Sequence, residues 1–258
     1  MNYQGDLNPN SFTLAHSGPA SGLIIKKTLS RWFTLRAAFV SGKIQAADKW
    51  NRDDLKARNL SFATTITEAS AGLEVTLLDM SVARISPYMY GGMGLFHFNP
   101  WTTDRHNTKV FLQPLSTEGQ GLSEYPEQKV YKLTQMSLAF GAGLKYAVSN
   151  GLTINLEFSQ RKTFTDYLDD VSSHFVDPDI LRQARGEVAV ELAYRGDEVP
   201  NGRLLFPTHG DQRGTPTEMD WYYYTGISAE INLNTLGSIF SSSDRKALSS
   251  QRCPKNLY

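Results

Sequence analysis

The chain has little cysteine, no excess charge of either sign and no long apolar run, and each shortage excludes a class of protein. One cysteine among 258 residues excludes an internal disulfide framework and a zinc site built from several thiolates. Lysine plus arginine number 26 and aspartate plus glutamate number 26, so the formal net charge is zero. Because nucleic-acid binders normally carry a basic excess, this balance argues against nucleic acid as a partner.

The longest uninterrupted apolar run is the ten residues 87–96, with tyrosine, proline and glycine counted as apolar. A membrane-spanning helix needs about 20 apolar residues, so transmembrane helices are excluded. A transmembrane β-barrel stays open as a class, because only every second residue of its strands faces lipid. With 40% hydrophobic and 20% charged residues, the chain is too apolar and too weakly charged to be disordered.

The beginning of the chain carries no signal-peptide pattern. Residues 1–6 contain neither a basic n-region nor an apolar h-region. Taken literally, this beginning predicts a cytoplasmic protein, whereas the strand pattern predicts an outer-membrane one. We therefore expect a trimmed or misplaced start that cuts the first strand short.

Alternation of apolar and polar side chains with a period of two is the strongest pattern in the sequence, and it predicts β-strands. In residues 135–146, for example, it places Leu138 and Leu144 on one face and Ser137 and Lys145 on the other. The predicted strands are 1–6, 18–29, 32–44, 65–77, 84–98, 135–146, 152–159 and 221–232.

The connections between these strands alternate in length, and this alternation predicts the fold. The short turns are 29–31, 78–82 and 149–151, and the long polar loops are 7–17, 45–60, 99–130 and 165–220. Short turns at one end and long loops at the other are typical of an outer-membrane barrel. The sequence therefore predicts an all-β protein: an eight-stranded antiparallel transmembrane β-barrel over residues 1–234, with short periplasmic turns, long extracellular loops and a flexible periplasmic tail over 235–258. Its predicted location is the outer membrane of a Gram-negative bacterium, with the membrane lipid as one partner.

One helix is predicted inside the longest loop. Asp177 at the N-cap and Pro178 at the first helical position are a helix start signal. Apolar residues then recur at helical spacing, so we expect one helix over about 178–195 that caps the mouth of the barrel, with Gly186 as its weak point.

Ionisable side chains lie on the faces predicted to point inward. They are Arg36, Glu68, Glu74, Lys145, Glu157, Arg161 and Glu230. Because ionised groups away from bulk water persist only when they are paired, we expect a ladder of ion pairs, with Glu157 paired to a cation such as Arg161 or Lys145. An eight-stranded barrel has just enough room for side chains, which favours a structural plug of salt bridges over a proton or ion path.

Residue types that perform catalysis or bind metals form no recognisable site. Five acidic residues at the start of the longest loop are Asp166, Asp169, Asp170, Asp177 and Asp179. Their oxygens suit calcium, but the twelve-residue ligand spacing and central glycine are missing, so a solvated acidic surface is expected. No two histidines have metal-ligand spacing, and no serine lies in a nucleophile elbow. The sequence predicts neither an enzyme nor a metal or cofactor.

Several motifs resemble a single family. They are NYQGDL at 2–7, PYMYGGMGLFHFNP at 87–100, LQPLSTEGQGL at 112–122, RKTFTDYLDDVS at 161–172 and QRG at 212–214. They are similar to the motifs of the PorG-like outer-membrane β-barrel family associated with the type IX secretion system. The resemblance implies a small eight-stranded barrel without enzymatic activity, which associates with the periplasmic lipoprotein ring of that secretion machine.

The lone Cys253 lies in the tail after the last predicted strand. In an oxidising periplasm such a thiol is either free or paired with another chain. The segment 252–254, Arg-Cys-Pro, resembles the cysteine-bearing tail of PorG-like members, which implies an intermolecular disulfide to a ring lipoprotein.

Two other functions stay open at the level of the sequence. One is a ligand-binding or adhesin-type barrel that uses the loops around Trp101, Tyr125 and Tyr167. The other is a passive pore, which the narrow, charged interior disfavours.

Overall fold

A computed structural model of the chain describes residues 1–233 except 10–14, 52 and 201–204. The predicted tail over 235–258, with Cys253, lies outside the described residues. The strands are β1 (Asn2–Gln4), β2 (Ala20–Thr28), β3 (Phe33–Ala47), β4 (Ser61–Thr76), β5 (Ile85–His97), β6 (Trp101–Thr103), β7 (Lys109–Phe111), β8 (Thr134–Ser149), β9 (Leu152–Thr163) and β10 (Trp221–Ile231). The α-helices are α1 (Asp53–Lys56), α2 (Pro178–Arg185) and α3 (Glu187–Ala193), and short 3-10 turns lie at Asp48–Trp50, Gln113–Leu115 and Gly196–Glu198.

Eight of the strands form one antiparallel sheet in the order β1-β10-β9-β8-β5-β4-β3-β2. The predicted all-β, antiparallel class is therefore confirmed. At the two ends of this order, Met1 and Gly18 exchange two backbone hydrogen bonds. The amino group of Met1 donates to the Gly18 carbonyl at 2.7 Å, and the Gly18 N–H donates to the Met1 carbonyl at 2.9 Å.

The strand count differs from the prediction, because the described residues contain ten strands. The two additional strands, β6 and β7, pair with each other and extend the sheet at β4, where Trp101 lies opposite Ala63. Each has only three residues. So short a segment carries no recognisable alternation, and the sequence pattern placed it within a polar loop.

Turns and loops are segregated to opposite ends of the sheet. Residues 29–32, 77–84 and 150–151 make the short connections at what we call the turn end. The long connections meet at the opposite, loop end, and we call the described parts of 48–60, 98–133 and 164–220 the loop cap. In the first turn, Ser30 Oγ accepts hydrogen bonds from the N–H groups of Trp32 and Phe33 at 3.2 and 3.1 Å, which is a common way for serine to stabilise a turn.

The two faces of the sheet have opposite polarity, as the alternation predicts. On the outer face Leu138 and Leu156 are 39% and 49% exposed, whereas Ser137 and Glu157 beside them on the inner face are buried. Other large apolar side chains exposed on the outer face include Leu23, Ile25, Leu35, Phe39, Met89, Met93, Leu95, Phe140, Leu144 and Ile227. Tyr223 lies on the same side of β10 as Ile227 but is only 2% exposed, and the centre of its ring is 6.0 Å from that of Phe158.

The loop cap is joined to the inner face of the sheet by a column of aromatic rings. Phe96 on β5 stacks on Phe98 with ring centroids 5.6 Å apart, Phe98 stacks on Tyr131 at 6.2 Å, and Tyr131 stacks on Tyr167 at 4.7 Å. Aromatic pairs contribute about 0.5–1.5 kcal/mol each beyond the area that they bury. The loop end of the sheet and the loop cap therefore share one hydrophobic core.

The single helix predicted over 178–195 is wrong in one respect, because the structure divides it into α2 and α3. Gly186 separates them with φ at +87°, a value outside the helical region that glycine adopts without strain. The predicted N-cap is present, since the Asp177 carboxylate accepts hydrogen bonds from the N–H groups of Asp179 and Ile180. No helix in the described ranges is long and apolar enough to cross a membrane.

Candidate functional site: the charged inner face and the loop cap

Glu74 is the centre of the ionic network at the turn end of the inner face. It is fully buried, and the ammonium groups of Lys26 and Lys145 both approach it, the first at 3.0 Å. Lys26 also binds Glu230 at 3.0 Å, and Lys145 donates a hydrogen bond of 3.1 Å to the Thr76 hydroxyl. With the Arg36 guanidinium at 3.8 Å, three cations compensate a carboxylate that lies away from bulk water, as a buried charge requires.

Arg36 forms the next level of the network. Its guanidinium donates two hydrogen bonds to the Glu157 carboxylate, at 2.5 and 2.7 Å, and the Tyr88 hydroxyl donates a third at 2.7 Å. This bidentate arrangement is the strong form of an arginine–carboxylate pair. The same guanidinium lies 3.8 Å from the centre of the Tyr90 ring, which separates it from the next ion pair.

Arg161 and Glu68 make that next pair, closer to the loop end. Arg161 Nε donates to Glu68 at 2.6 Å, and the Tyr222 hydroxyl donates to the same carboxylate oxygen at 2.5 Å. Arg161 also donates to the hydroxyls of Tyr90 and Tyr224, at 3.3 and 3.2 Å. Both charged side chains are at most 1% exposed, so these hydrogen bonds replace part of the water that they have lost.

All seven interior charges predicted from the sequence lie in this network, but the predicted pairing of Glu157 is wrong. Its partner is Arg36, because Lys145 is held by Glu74 and Arg161 by Glu68. The predicted set contains three cations and four carboxylates, and in the structure Lys26 is the fourth cation. The stretch 23–27 runs Leu-Ile-Ile-Lys-Lys, and its consecutive like residues hide the alternation that would have assigned Lys26 to the inner face.

The complete network is electrically neutral. Its cations are Lys26, Arg36, Lys145 and Arg161, and its anions are Glu68, Glu74, Glu157 and Glu230. Towards the loop end the inner face becomes apolar, with Ile44, Ile66 and Phe96 fully buried. The inner face is therefore filled by side chains along its length, first by ion pairs and then by hydrocarbon.

The acidic residues at the start of the longest loop do not form the solvated surface expected from the sequence. Asp166, Asp169 and Asp170 are at most 4% exposed, while Asp177 is half-buried and Asp179 is exposed. A local sequence pattern does not show the long-range contacts that these acids make: Asp169 contacts Tyr3 of β1, and Asp170 contacts Thr117 and Tyr131. Their burial has to be compensated by hydrogen bonds, cations or bound protons.

Glu118 and Arg213 connect the segments of the loop cap. The Glu118 carboxylate is fully buried and accepts hydrogen bonds from Arg213 at 2.8 Å and from the N–H groups of Ser172 and Ser173 at 2.9 Å each. Arg213 also donates to the backbone carbonyls of Asp170 and Ala193. Three of the motifs noted in the sequence, at 112–122, 161–172 and 212–214, therefore meet at this ion pair.

Tyr3 brings the motif at 2–7 to the same region. Its hydroxyl lies 2.5 Å from a carboxylate oxygen of Asp169 and 3.0 Å from one of Asp220. A hydroxyl has one proton to donate, so one of the two carboxyls must itself carry a proton to complete both hydrogen bonds. Asp6 is held by the N–H of Thr215 at 2.9 Å, which joins this motif to the segment after Arg213.

The pKa values of the buried loop acids are raised, mainly by burial. Burial raises the pKa of Asp166 to about 9 and that of Asp169 to about 8, with the nearby Asp6 adding to the second shift. The pKa of Asp170 rises only to about 6, because the Arg213 guanidinium partly offsets the burial. Neutral carboxyls are therefore favoured near neutral pH at Asp166 and Asp169, whereas Asp170 beside Arg213 is mostly ionised there.

The described part of the loop cap contains no clear set of residues for binding a metal ion or for capturing a ligand at the surface. Over the described ranges, no three histidine, cysteine, aspartate or glutamate side chains are arranged to hold a metal ion. Tyr167 stacks on Tyr131, and the Tyr125 hydroxyl accepts a hydrogen bond of 3.0 Å from the Asp177 N–H. Two of the three aromatic residues considered for ligand capture thus have contacts inside the loop cap, and Trp101 lies on the outer face beside β4.

Comparison of the sequence with known families identifies the family to which the chain belongs. A family model described as Domain of unknown function (DUF6089) matches residues 1–183. The match covers more than two-thirds of the 258 residues, including β1 to β9 and the motifs up to 161–172. The chain therefore belongs to the DUF6089 family. No curated protein and no solved structure matches it.

Proposed function

We propose that the chain is an outer-membrane β-barrel of a Gram-negative bacterium, closed by eight strands, with the apolar outer face in contact with lipid. The inverted polarity of the sheet carries this proposal. Leu156 is 49% exposed on the outer face, while Arg161 and Glu74 are fully buried on the inner face. Water is a poor solvent for such an outer face, whereas a lipid bilayer suits it.

Contacts between the ends of the strand order support the closed form. Met1 and Gly18 hydrogen-bond through their backbones, and the Lys26 ammonium of β2 binds the Glu230 carboxylate of β10. A sheet that curls until its ends meet has no unpaired edge to expose in a membrane, where unsatisfied backbone groups are costly. Because the interior is filled by ion pairs and apolar side chains, a passive pore is disfavoured.

The role that we infer is structural and non-catalytic, as a component of the type IX protein secretion machinery. Two observations support this role. The first is the resemblance to the PorG-like family, and the second is that the motifs carrying the resemblance contact one another inside the loop cap. Glu118, Ser172 and Arg213 come from three of those motifs and stabilise one another rather than lining an open cleft. Motif residues that make such internal contacts favour a rigid scaffold over an enzyme.

The proposed partner is a periplasmic ring lipoprotein, bound through the C-terminal tail and Cys253. β10 ends at the turn end of the sheet, where Ile231 lies opposite Leu152, so the tail begins on the side that the proposal assigns to the periplasm. In an oxidising compartment a lone cysteine is either free or paired with another chain, and the proposal takes the second state for Cys253.

Non-reducing electrophoresis of whole membranes tests this role. We expect a higher-mass band that contains a lipoprotein, disappears with thiol reductant and is lost in Cys253→Ser. Co-purification in mild detergent identifies the partner. If no such band forms and deletion of the gene leaves secretion intact, the anchoring role is contradicted and the surface-binding alternative takes its place.

A further inference from the structure

Two lysines converge on one tryptophan on the outer face of the sheet, near the loop end. The ammonium of Lys43 on β3 lies 5.4 Å from the centre of the Trp101 ring, and that of Lys109 on β7 lies 4.5 Å from it. Lys109 is also 4.9 Å from the ring of Phe111. The β6–β7 hairpin produces this arrangement, because it places Trp101 opposite Ala63 and so beside β3 and β4.

The group lies where the outer face changes from apolar to polar. Along β3 the outer side chains run from Phe33 through Leu35 and Phe39 to Ser41 and then Lys43, and the first three are about half exposed. Lys43 is four residues beyond Phe39, which corresponds to roughly 13 Å along a strand. In a membrane-embedded barrel this change marks the level of the lipid headgroups.

Among the described residues, Lys43 and Lys109 have contacts with aromatic rings rather than with carboxylates. Neither ammonium forms a salt bridge within the part of the chain that the structure describes. Asp104, the acid of the β6–β7 turn, accepts hydrogen bonds from the N–H groups of His106 and Thr108, and Asp197 binds Arg105. Two positive charges therefore lie at the Trp101 ring without a carboxylate partner among the described residues.

We propose that Lys43 and Lys109, positioned by Trp101, bind a phosphate group of a phosphorylated glycolipid in the outer leaflet. This inference rests on the proposed membrane location. An ammonium group is a compact point charge suited to phosphate, and a tryptophan at the membrane surface combines an apolar ring with a polar N–H. The exposed apolar side chains below the group would contact the acyl chains of the same lipid.

Native mass spectrometry of the detergent-solubilised full chain tests the site with diphosphoryl lipid A as the probe. We expect Lys43→Gln/Lys109→Gln to bind this lipid about 30-fold more weakly than the wild type. The matched control is Lys27→Gln/Lys129→Gln, which removes the same charge from two exposed lysines elsewhere and should bind as the wild type does. The wild type should bind dephosphorylated lipid A weakly, with about the affinity that Lys43→Gln/Lys109→Gln has for intact lipid A.

Three results would overturn the inference. The first is an equal loss of lipid affinity in the two double variants. The second is binding of dephosphorylated lipid A to the wild type as tightly as intact lipid A, and the third is binding of inorganic phosphate as tightly as lipid A. Heat-modifiable migration of every sample separates this test from the proposed function. If the wild type shows no such migration, the barrel proposal fails, whereas normal migration without lipid discrimination refutes only the phosphate site.

Discussion

Arg36 and Glu157 hydrogen-bond to each other although their strands, β3 and β9, stand four places apart in the sheet order. Neighbouring strands are about 4.8 Å apart, so an open, flat sheet would separate them by roughly 19 Å. The sheet therefore curls until these strands face each other. In the proposed eight-stranded barrel they are diametrically opposite, and the ion pair spans the interior.

Removing one member of this pair should destabilise the protein strongly. Glu157→Gln leaves the Arg36 guanidinium without its bidentate partner, and breaking a buried pair costs roughly 3–5 kcal/mol. The midpoint of the heat-modifiable shift in electrophoresis should fall. Glu218→Gln, a change in the loop cap away from the network, is the control, and equal midpoints in both variants would contradict the assigned pairing.

Lys26 should be as important as the interior charges that the sequence alone identifies. Lys26→Met removes one of the three cations near the fully buried Glu74 and leaves the network with a net charge of −1. We expect a loss of unfolding free energy in the same range, with part of it recovered when Glu230→Gln restores neutrality. Strictly additive effects in this double-mutant cycle would show that Lys26 and Glu230 do not interact.

The loop cap should become less stable as the pH rises. The pKa values of Asp166, Asp169 and Asp170 are raised by burial to about 9, 8 and 6. A raised carboxyl pKa in the folded state means that protonation favours folding. This contribution is complete below about pH 4, the unfolded value, and is lost as the pH rises through 6 to 9.

Hydrogen exchange of the loop cap, corrected for the intrinsic effect of pH, measures this change. Protection should fall between about pH 4 and pH 9 relative to the strands. Asp166→Asn should make the dependence shallower, and the exposed control Asp179→Asn should leave it as it is. A protection profile that improves over this range would contradict the account.

Glu118 should hold the loop cap together without being needed by the strands. Glu118→Gln weakens its contact with Arg213 and leaves that guanidinium buried, which costs roughly 3–5 kcal/mol. Limited proteolysis should then cut the loop cap faster, while the electrophoretic shift of the folded protein is retained. Glu124→Gln, an exposed change in the same loop, provides the matched control, and equal cleavage rates would refute the role of Glu118.

The alternating strands were predictable from the sequence because their pattern is local. Leu138 and Leu144 have the predicted outward orientation, and Glu68 and Arg161 the predicted inward one, since the pleat alone decides the side. The all-β class, the short turns and the N-cap at Asp177 depend on equally local signals.

What the sequence did not predict depends on contacts between distant segments. Burial of Asp169 arises from Tyr3, 166 residues earlier in the chain, and the pairing of Glu157 depends on which strands face each other across the interior. The inward orientation of Lys26 is not predicted, because Lys26 and Lys27 are adjacent and the alternation does not show which of them faces the interior. The β6–β7 hairpin was missed because three residues are too few for a periodic signal.

The central claim is that the outer face of the sheet contacts a membrane. Measuring the lipid exposure of residues on that face tests this claim most directly. Spin labels at Leu138→Cys, Leu144→Cys and Leu156→Cys, in a Cys253→Ser background reconstituted in bilayers, report collision with oxygen and with a water-soluble nickel complex. The account predicts high oxygen and low nickel accessibility at all three positions, with neither high at the inner-face control Ser159→Cys. High nickel accessibility at Leu138, Leu144 and Leu156 would contradict it.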